Sequence, residues 1–275
     1  MNKLEFIKMQ GAGNDFIVFE DIKEKYKDLN SLALKLCDRN FGIGGDGILV
    51  VRSSSVADIQ MVIINADGSY AGMCGNGIRC FAKYVYEKKL VDKKVFFVET
   101  GDGIKKCELF LEGENVTGVK INMGLPSFEP SKIPALGEDK IIKKSINIKG
   151  KKYEINSLLL GVPHTVILTK DSEFKVDEGA DIEKYELFPS GTNVNFCRII
   201  DDTAIKVDTW ERGAGATLAC GTGCCSSAVI CNKLGLTGKS VKVIAPGGIL
   251  KVDIEEEGVM MTGPAMNVFE GEITI

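Results

Sequence analysis

Two kinds of hydrophobic patterning run along this chain. Segments with β-branched, alternating apolar residues, at 59–64, 95–98, 205–207 and 241–244, predict strands. The opening Met1-Asn2-Lys3-Leu4-Glu5-Phe6 alternates in the same way. Gly-rich turns separate these segments, and two stretches break the period. Ile78, Phe81, Ala82 and Val85 recur at helical spacing and predict a helix over residues 78–90. Residues 224–234 open with Cys-Cys-Ser-Ser-Ala and predict a second helix, whose small side chains suit a tightly enclosed core. Each helix follows a Cys-Gly-x-Gly turn, so each part of the chain reads as a sheet with one buried helix, an α+β arrangement.

The pattern occurs twice. Cys74-Gly75-Asn76-Gly77 returns as Cys220-Gly221-Thr222-Gly223, an offset of 146 residues. At that offset residues 59–64 fall on 205–210, 95–98 on 241–244, and 99–103 on 245–249. Further out, Gly13-Asn14-Asp15-Phe16 faces Gly161-Val162-Pro163-His164 at an offset of 148, and residues 119–124 resemble 259–264. A period this long predicts a duplicated domain, not a solenoid. The Pro- and Ser-containing segment at 126–137 is the natural linker, and no low-complexity tract is present.

Composition narrows the chemistry. Of 275 residues, 26% are charged, with a net charge of −4 and no basic stripe, so nucleic acid and anionic membranes are not expected partners. No apolar run exceeds four residues, too short for a membrane-spanning helix, and the first residues lack a signal-peptide pattern; a cytoplasmic protein is expected. The nine cysteines are an odd number, which predicts free thiols in a reducing compartment, most of them small buried hydrophobes. The single histidine, His164, leaves little room for a Ser-His-Asp hydrolase or a multi-histidine metal site. Cys220, Cys224, Cys225 and Cys231 face several directions around one helix, so no metal is expected, and Cys-x-x-Cys spacing typical of thiol redox proteins is absent. None of the Gly-rich segments matches a nucleotide-binding loop.

The paired turns carry the functional signal. A helix that starts at Cys-Gly-x-Gly presents unpaired N–H groups and the positive end of its dipole, which suit a carboxylate and push a neighbouring thiol toward thiolate. A lone copy reads equally well as a helix cap over a buried cysteine. Two copies in matching frames supply two equivalent thiols, and inversion of a stereocentre needs a base on one face of the carbon and an acid on the other. The residues thus point to a racemase or epimerase in which Cys74 and Cys220 exchange the roles of thiolate and thiol.

At these positions the chain resembles the diaminopimelate epimerase family. The resemblance runs through Gly11-Ala12-Gly13-Asn14-Asp15-Phe16, residues 42–47, Asn65-Ala66-Asp67-Gly68, residues 73–80, Pro163-His164, residues 193–196, residues 211–215 and Ala219-Cys220-Gly221-Thr222-Gly223. It implies two pseudo-symmetric α+β domains, each a curved mixed sheet around a central helix, with the active site between them. The domains would be residues 1–122 with 267–275, and residues 123–266, the last strand returning to the first domain. It also implies Cys74 and Cys220 as the catalytic pair, with amides of Gly75, Asn76, Gly221 and Thr222 on the substrate carboxylate. Asn14, Asn65, Asn193, Glu211 and Arg212 would bind the amino-acid substrate, Arg212 pairing a carboxylate and Glu211 an ammonium group. No cofactor is implied, pyridoxal phosphate included, and a homodimer is. The reaction would interconvert LL- and meso-diaminopimelate, in lysine and cell-wall precursor synthesis.

One position departs from the family pattern. Val162 stands where the family carries an asparagine, and valine makes no hydrogen bond. Either another group compensates, or the pocket suits another amino acid, such as histidine or a thioether analogue of diaminopimelate. His164 reads as a substrate-wall or supporting residue, or equally as core. A non-catalytic binding protein using the same cleft is the rival class that only an activity measurement separates.

Overall fold

A computed structural model describes residues 3–170 and 173–275. The backbone divides into two compact units: one runs through Ile121 and resumes at Thr262, and the other is Asn122–Met261.

The first unit begins with β1 (Lys3–Gly11), β2 (Asn14–Glu20), α1 (Leu29–Cys37), β3 (Gly47–Arg52), β4 (Ile59–Asn65), β5 (Tyr70–Ala71), α2 (Gly75–Glu87), β6 (Val95–Thr100), β7 (Gly103–Glu112) and β8 (Asn115–Asn122). The alternation at the start is a strand from Lys3 onward; Met1 and Asn2 lie outside the described residues. β1 and β2 form a hairpin whose turn needs Ala12 at φ 54° and Gly13 at φ 83°, the left-handed region where glycine is unstrained. β2 and β3 run parallel across the α1 crossover, β3 and β4 antiparallel, and β4 and β6 parallel across α2. β6, β7 and β8 complete the unit as a meander.

The second unit repeats this order with β9 (Lys144–Ile148), β10 (Lys151–Leu160), β11 (Val162–Leu168), α3 (Gly179–Glu183), β12 (Asn193–Asp201), β13 (Ala204–Glu211), β14 (Gly215–Thr217), α4 (Gly221–Lys233), β15 (Ser240–Ala245), β16 (Gly248–Glu255) and β17 (Gly258–Gly263). The pairing senses recur: β11–β12 parallel, β12–β13 antiparallel, β13–β15 parallel. The register drifts by one residue, since Ile59 lies opposite Val98 while Ile205 lies opposite Val243. Residues 126–137 are not a free linker. Ser127 bridges Leu159 and Ile133 is wholly buried in the second unit's core, so the division falls ahead of this segment. Finally β18 (Met266–Thr274) pairs antiparallel with β1, Phe269 meeting Phe6 edge-on at 5.9 Å.

Both central helices start earlier than apolar spacing predicts. Cys74 and Cys220 are the N-caps, in extended backbone, and the Gly-x-Gly residues form the first turn instead of preceding it. In α2 the Gly77 N–H donates to Cys74 Sγ at 3.4 Å, so the thiol does the work of a capping hydroxyl, whereas Cys220 takes the N-cap position of α4 without a side-chain capping bond. Nor does α2 bury only the face marked by Ile78, Phe81, Ala82 and Val85. Every residue from Gly75 to Val85 is buried, because β1, β2, β3, β4 and β7 all pack against it. α4 is enclosed in the same way, and its Cys, Ser and Ala side chains allow the surrounding strands to approach.

Candidate active site

Each unit places one cysteine at the start of its central helix. Eight of the nine cysteines are buried, Cys74 is half-buried, and none of them forms a disulfide.

In the first unit, Cys74, Asn14 and Asn76 meet. Cys74 donates its S–H to Asn14 Oδ1 at 3.5 Å, and the Asn76 amide donates to the same oxygen at 3.5 Å. The other end of the Asn14 amide donates to Asp46 Oδ2 at 2.6 Å. Asp46 is held in turn by Arg39 at 2.9 Å and by the Asp15 N–H at 3.1 Å. Arg39 also clasps both oxygens of Asp15, and Lys8, buried beneath the loop, pairs with Asp15 at 2.6 Å. Burial disfavours the Asp15 carboxylate, but the Arg39 and Lys8 hydrogen bonds outweigh it and hold this group at about 2. Asn65 ends β4 with its amide donating to Ser69 Oγ at 2.9 Å, not to the Cys74 turn. Beneath the turn, Arg79 is wholly buried and donates to Asn76 Oδ1, Gly75 O and Pro264 O. Cys80, by contrast, is enclosed in the core, where burial pushes its thiol up to about 12.

In the second unit, Cys220 is 7% exposed, and its Sγ lies 3.4 Å from Thr222 Oγ1. Burial raises this thiol well above its ordinary value, and the Glu211 charge pushes the same way against the smaller opposing effects of Thr222 and Gly223. Glu211 accepts from Thr217 at 2.6 Å. Asn193 and Arg212 form a second group: Asn193 donates to Pro163 O at 2.8 Å and accepts the Arg212 N–H at 3.0 Å, while the Arg212 guanidinium donates to Ser190 O. Gly161 abuts Thr222, and Val162 beside it, the repeat partner of Asn14, is 38% exposed. The polar side chain beside Cys220 is thus the Thr222 hydroxyl, whereas Cys74 has Asn14.

His164 is fully buried, not on a substrate-facing wall. Burial and then the Arg212 charge depress the ring to about 3, so it is neutral. Asn195 accepts from Thr209 at 3.0 Å and turns its amide N to His164 Nδ1 at 3.2 Å, which assigns the ring proton to Nε2. Asn195 also lies under the helix start, where a Cβ on Gly223 would collide with its Oδ1.

Sequence patterning marks none of Arg39, Asp46, Arg79 and Asn195 as functional. For Arg79 a signal does exist, an arginine inside a stretch with otherwise core-like spacing. The Arg39–Asp46–Asn14 chain is a tertiary contact with no local signature. Among the described residues no group of three or more His, Cys, Asp or Glu side chains could hold a metal ion, and no helix is long and apolar enough to cross a membrane.

A two-unit α+β fold with a cysteine-capped central helix in each unit defines the class to which this chain belongs. Solved structures of similar fold include a probable proline racemase from Agrobacterium radiobacter (TM-score 0.73, 15% identity, covering 99% of this chain and 93% of that one). A PhzF-family phenazine biosynthesis protein from Bacillus anthracis matches equally well (TM-score 0.73, 16% identity, complete coverage of both chains). The family model for diaminopimelate epimerase matches residues 6–129 and 157–268. Diaminopimelate epimerase of Clostridium perfringens is 56% identical over 98% of each chain, and that of Caldanaerobacter subterraneus 50% identical over 99% of this chain and 100% of its own. The chain belongs to the diaminopimelate epimerase family.

Proposed function

We propose that this protein interconverts LL- and meso-diaminopimelate by proton transfer at the α-carbon, with Cys74 and Cys220 as the acid–base pair. The observation that carries the reading is the recurrence of one unusual device, a cysteine N-cap over a Gly-x-Gly helix start, in both units of a family member. In one direction the thiolate of one cysteine takes the α-proton and becomes a thiol. The other cysteine then gives its proton to the opposite face and becomes the thiolate. The return reaction exchanges the roles, so the two thiols titrate as a pair. Amides of Gly75 and Asn76, with those of Gly221 and Thr222, would hold the carboxylate at the reacting carbon, where their dipoles offset the charge that develops on deprotonation. Arg212 would pair a substrate carboxylate and Glu211 an ammonium group, with Asn14, Asn65 and Asn193 completing the contacts. The scheme uses only the chain's own side chains and backbone amides and calls for no cofactor. The family resemblance extends the reading to a cytoplasmic homodimer, which sedimentation would test.

A second reading keeps the mechanism and changes the substrate, because half-exposed Val162 offers no polar atom where its repeat partner Asn14 does. Incubating the reduced protein in D2O with LL-diaminopimelate, L-histidine or L-lysine separates the two. Deuterium at the α-carbon with inversion to the meso form is the expected result. Exchange confined to another amino acid would favour the second reading, and no exchange with any of the three, nor with the thioether analogue of diaminopimelate, would reject both.

A further inference from the structure

We propose that Asp46 is a positioning residue: it locks the Asn14 side-chain amide with its oxygen toward Cys74, so that the resting protein holds Cys74 as an S–H donor. An asparagine amide has one end that donates and one that accepts, and nothing within the side chain itself selects which end faces a given neighbour. At Asn14 the choice is imposed from outside. The Asp46 carboxylate only accepts, and it takes the Asn14 Nδ2 hydrogen at 2.6 Å. That leaves Oδ1, and not the NH2 group, 3.5 Å from Cys74 Sγ and 3.5 Å from the Asn76 amide nitrogen. Asp46 cannot turn away, because its other oxygen accepts from Arg39 at 2.9 Å and Oδ2 also takes the Asp15 N–H at 3.1 Å. The Arg39–Asp15 pair and the buried Lys8 fix that frame from below.

A carbonyl oxygen beside a thiol favours S–H, whereas an NH2 group in the same place would favour the thiolate. The orientation therefore opposes the helix N-terminus, which favours thiolate at the same sulfur. The device is confined to the first unit, since the repeat partner of Asn14 is Val162 and Cys220 has a hydroxyl, Thr222, at 3.4 Å. Its bearing on catalysis rests on the reading of Cys74 as one of the two acid–base thiols.

The test measures the rate of iodoacetamide labelling at each cysteine of the full-length protein by peptide mass spectrometry, from pH 6 to 10. An Asp46→Asn side chain can donate as well as accept, so Asn14 is held only by the long 3.5 Å bond from the Asn76 amide and can flip. Labelling of Cys74 should then speed up roughly tenfold at pH 7, its profile moving to lower pH by about one unit, while buried Cys80 and Cys220 keep their rates. Loss of the Asp46 charge would act in the same direction without Asn14, so Asp46→Asn is repeated in an Asn14→Ala background, where the added effect should shrink to that charge contribution, about twofold or less. If Asp46→Asn fails to fold, seen as labelling of Cys80, Asn14→Ala alone must speed Cys74 labelling. An unchanged Cys74 profile, or an Asp46→Asn effect of full size in the Asn14→Ala background, overturns the proposal. The outcome is independent of the D2O exchange assay, which bears on the activity and not on the amide.

Discussion

Arg79 is wholly buried, yet its guanidinium folds back along its own helix to donate to Asn76 Oδ1 at 3.0 Å and to Gly75 O at 3.1 Å. A third bond, to Pro264 O at 3.2 Å, ties the same group to the segment leading into β18. One side chain thus fixes both the turn that carries Cys74 and the return of the chain terminus. Replacing it by alanine opens a cavity and removes the guanidinium from two buried acceptors, Asn76 Oδ1 and Gly75 O, so Arg79→Ala should cost about 3–5 kcal/mol of stability. Denaturant unfolding checks this, and a cost below about 1 kcal/mol would show that the turn stands without the clamp.

Under the proposed mechanism Cys74 and Cys220 are each expected to be indispensable for inversion and dispensable for folding. Cys74→Ser and Cys220→Ser place a far weaker acid at the same site, and each should lower epimerisation by roughly 10²–10⁴-fold. Because Cys74 is half-buried and Cys220 sits under a hydroxyl, neither change should move the thermal midpoint much. Chiral chromatography of the product measures the first effect. Full activity in either variant rules out the two-thiol mechanism.

The two turns should differ in their tolerance of a methyl group. At Gly77 a Cβ would lie 3.3 Å from Leu49 and 3.4 Å from Phe16 and Cys74, which small shifts relieve. At Gly223 it would collide with Asn195 Oδ1, which is locked by Thr209 and by the His164 ring. Gly223→Ala should therefore cost about 1–3 kcal/mol more than Gly77→Ala. Equal midpoints for the two variants would contradict that contrast.

The buried ring of His164 should make stability fall in acid. Its folded value, about 3, lies below the ordinary value of 6.5, so the unfolded chain binds the extra proton between these limits. Stability is then full above about pH 6.5 and declines as pH falls toward 3, at up to about 1.4 kcal/mol per unit. Asp15, held at about 2, adds a loss of the same sign below about pH 4. His164→Phe copies its repeat partner Phe16 and should flatten the slope between pH 6.5 and 4. An unchanged slope in that variant would assign the acid sensitivity elsewhere.

Much of this molecule is local and therefore legible before folding. Strand alternation and helix period depend on neighbours two to four residues apart, and the Cys-Gly-x-Gly turn is itself a run of adjacent residues. Duplication shows because two homologous units keep their order and spacing, and the family follows from the same motifs. Apolar spacing puts the start of α2 too late because it cannot see that a thiol will cap Gly77. What tertiary structure decided is everything that depends on contacts between residues distant in sequence. It enclosed α2 on every side, so that Arg79 and Lys83 became core groups needing partners from their own helix, Pro264 and Val116. It buried His164 against Asn195, and it gave Cys74 and Cys220 different polar neighbours although their motifs look alike. A side chain's charge, tautomer and amide orientation are set by whatever lies within about 3–4 Å of it. Those neighbours come from strands and loops that only the folded chain brings together.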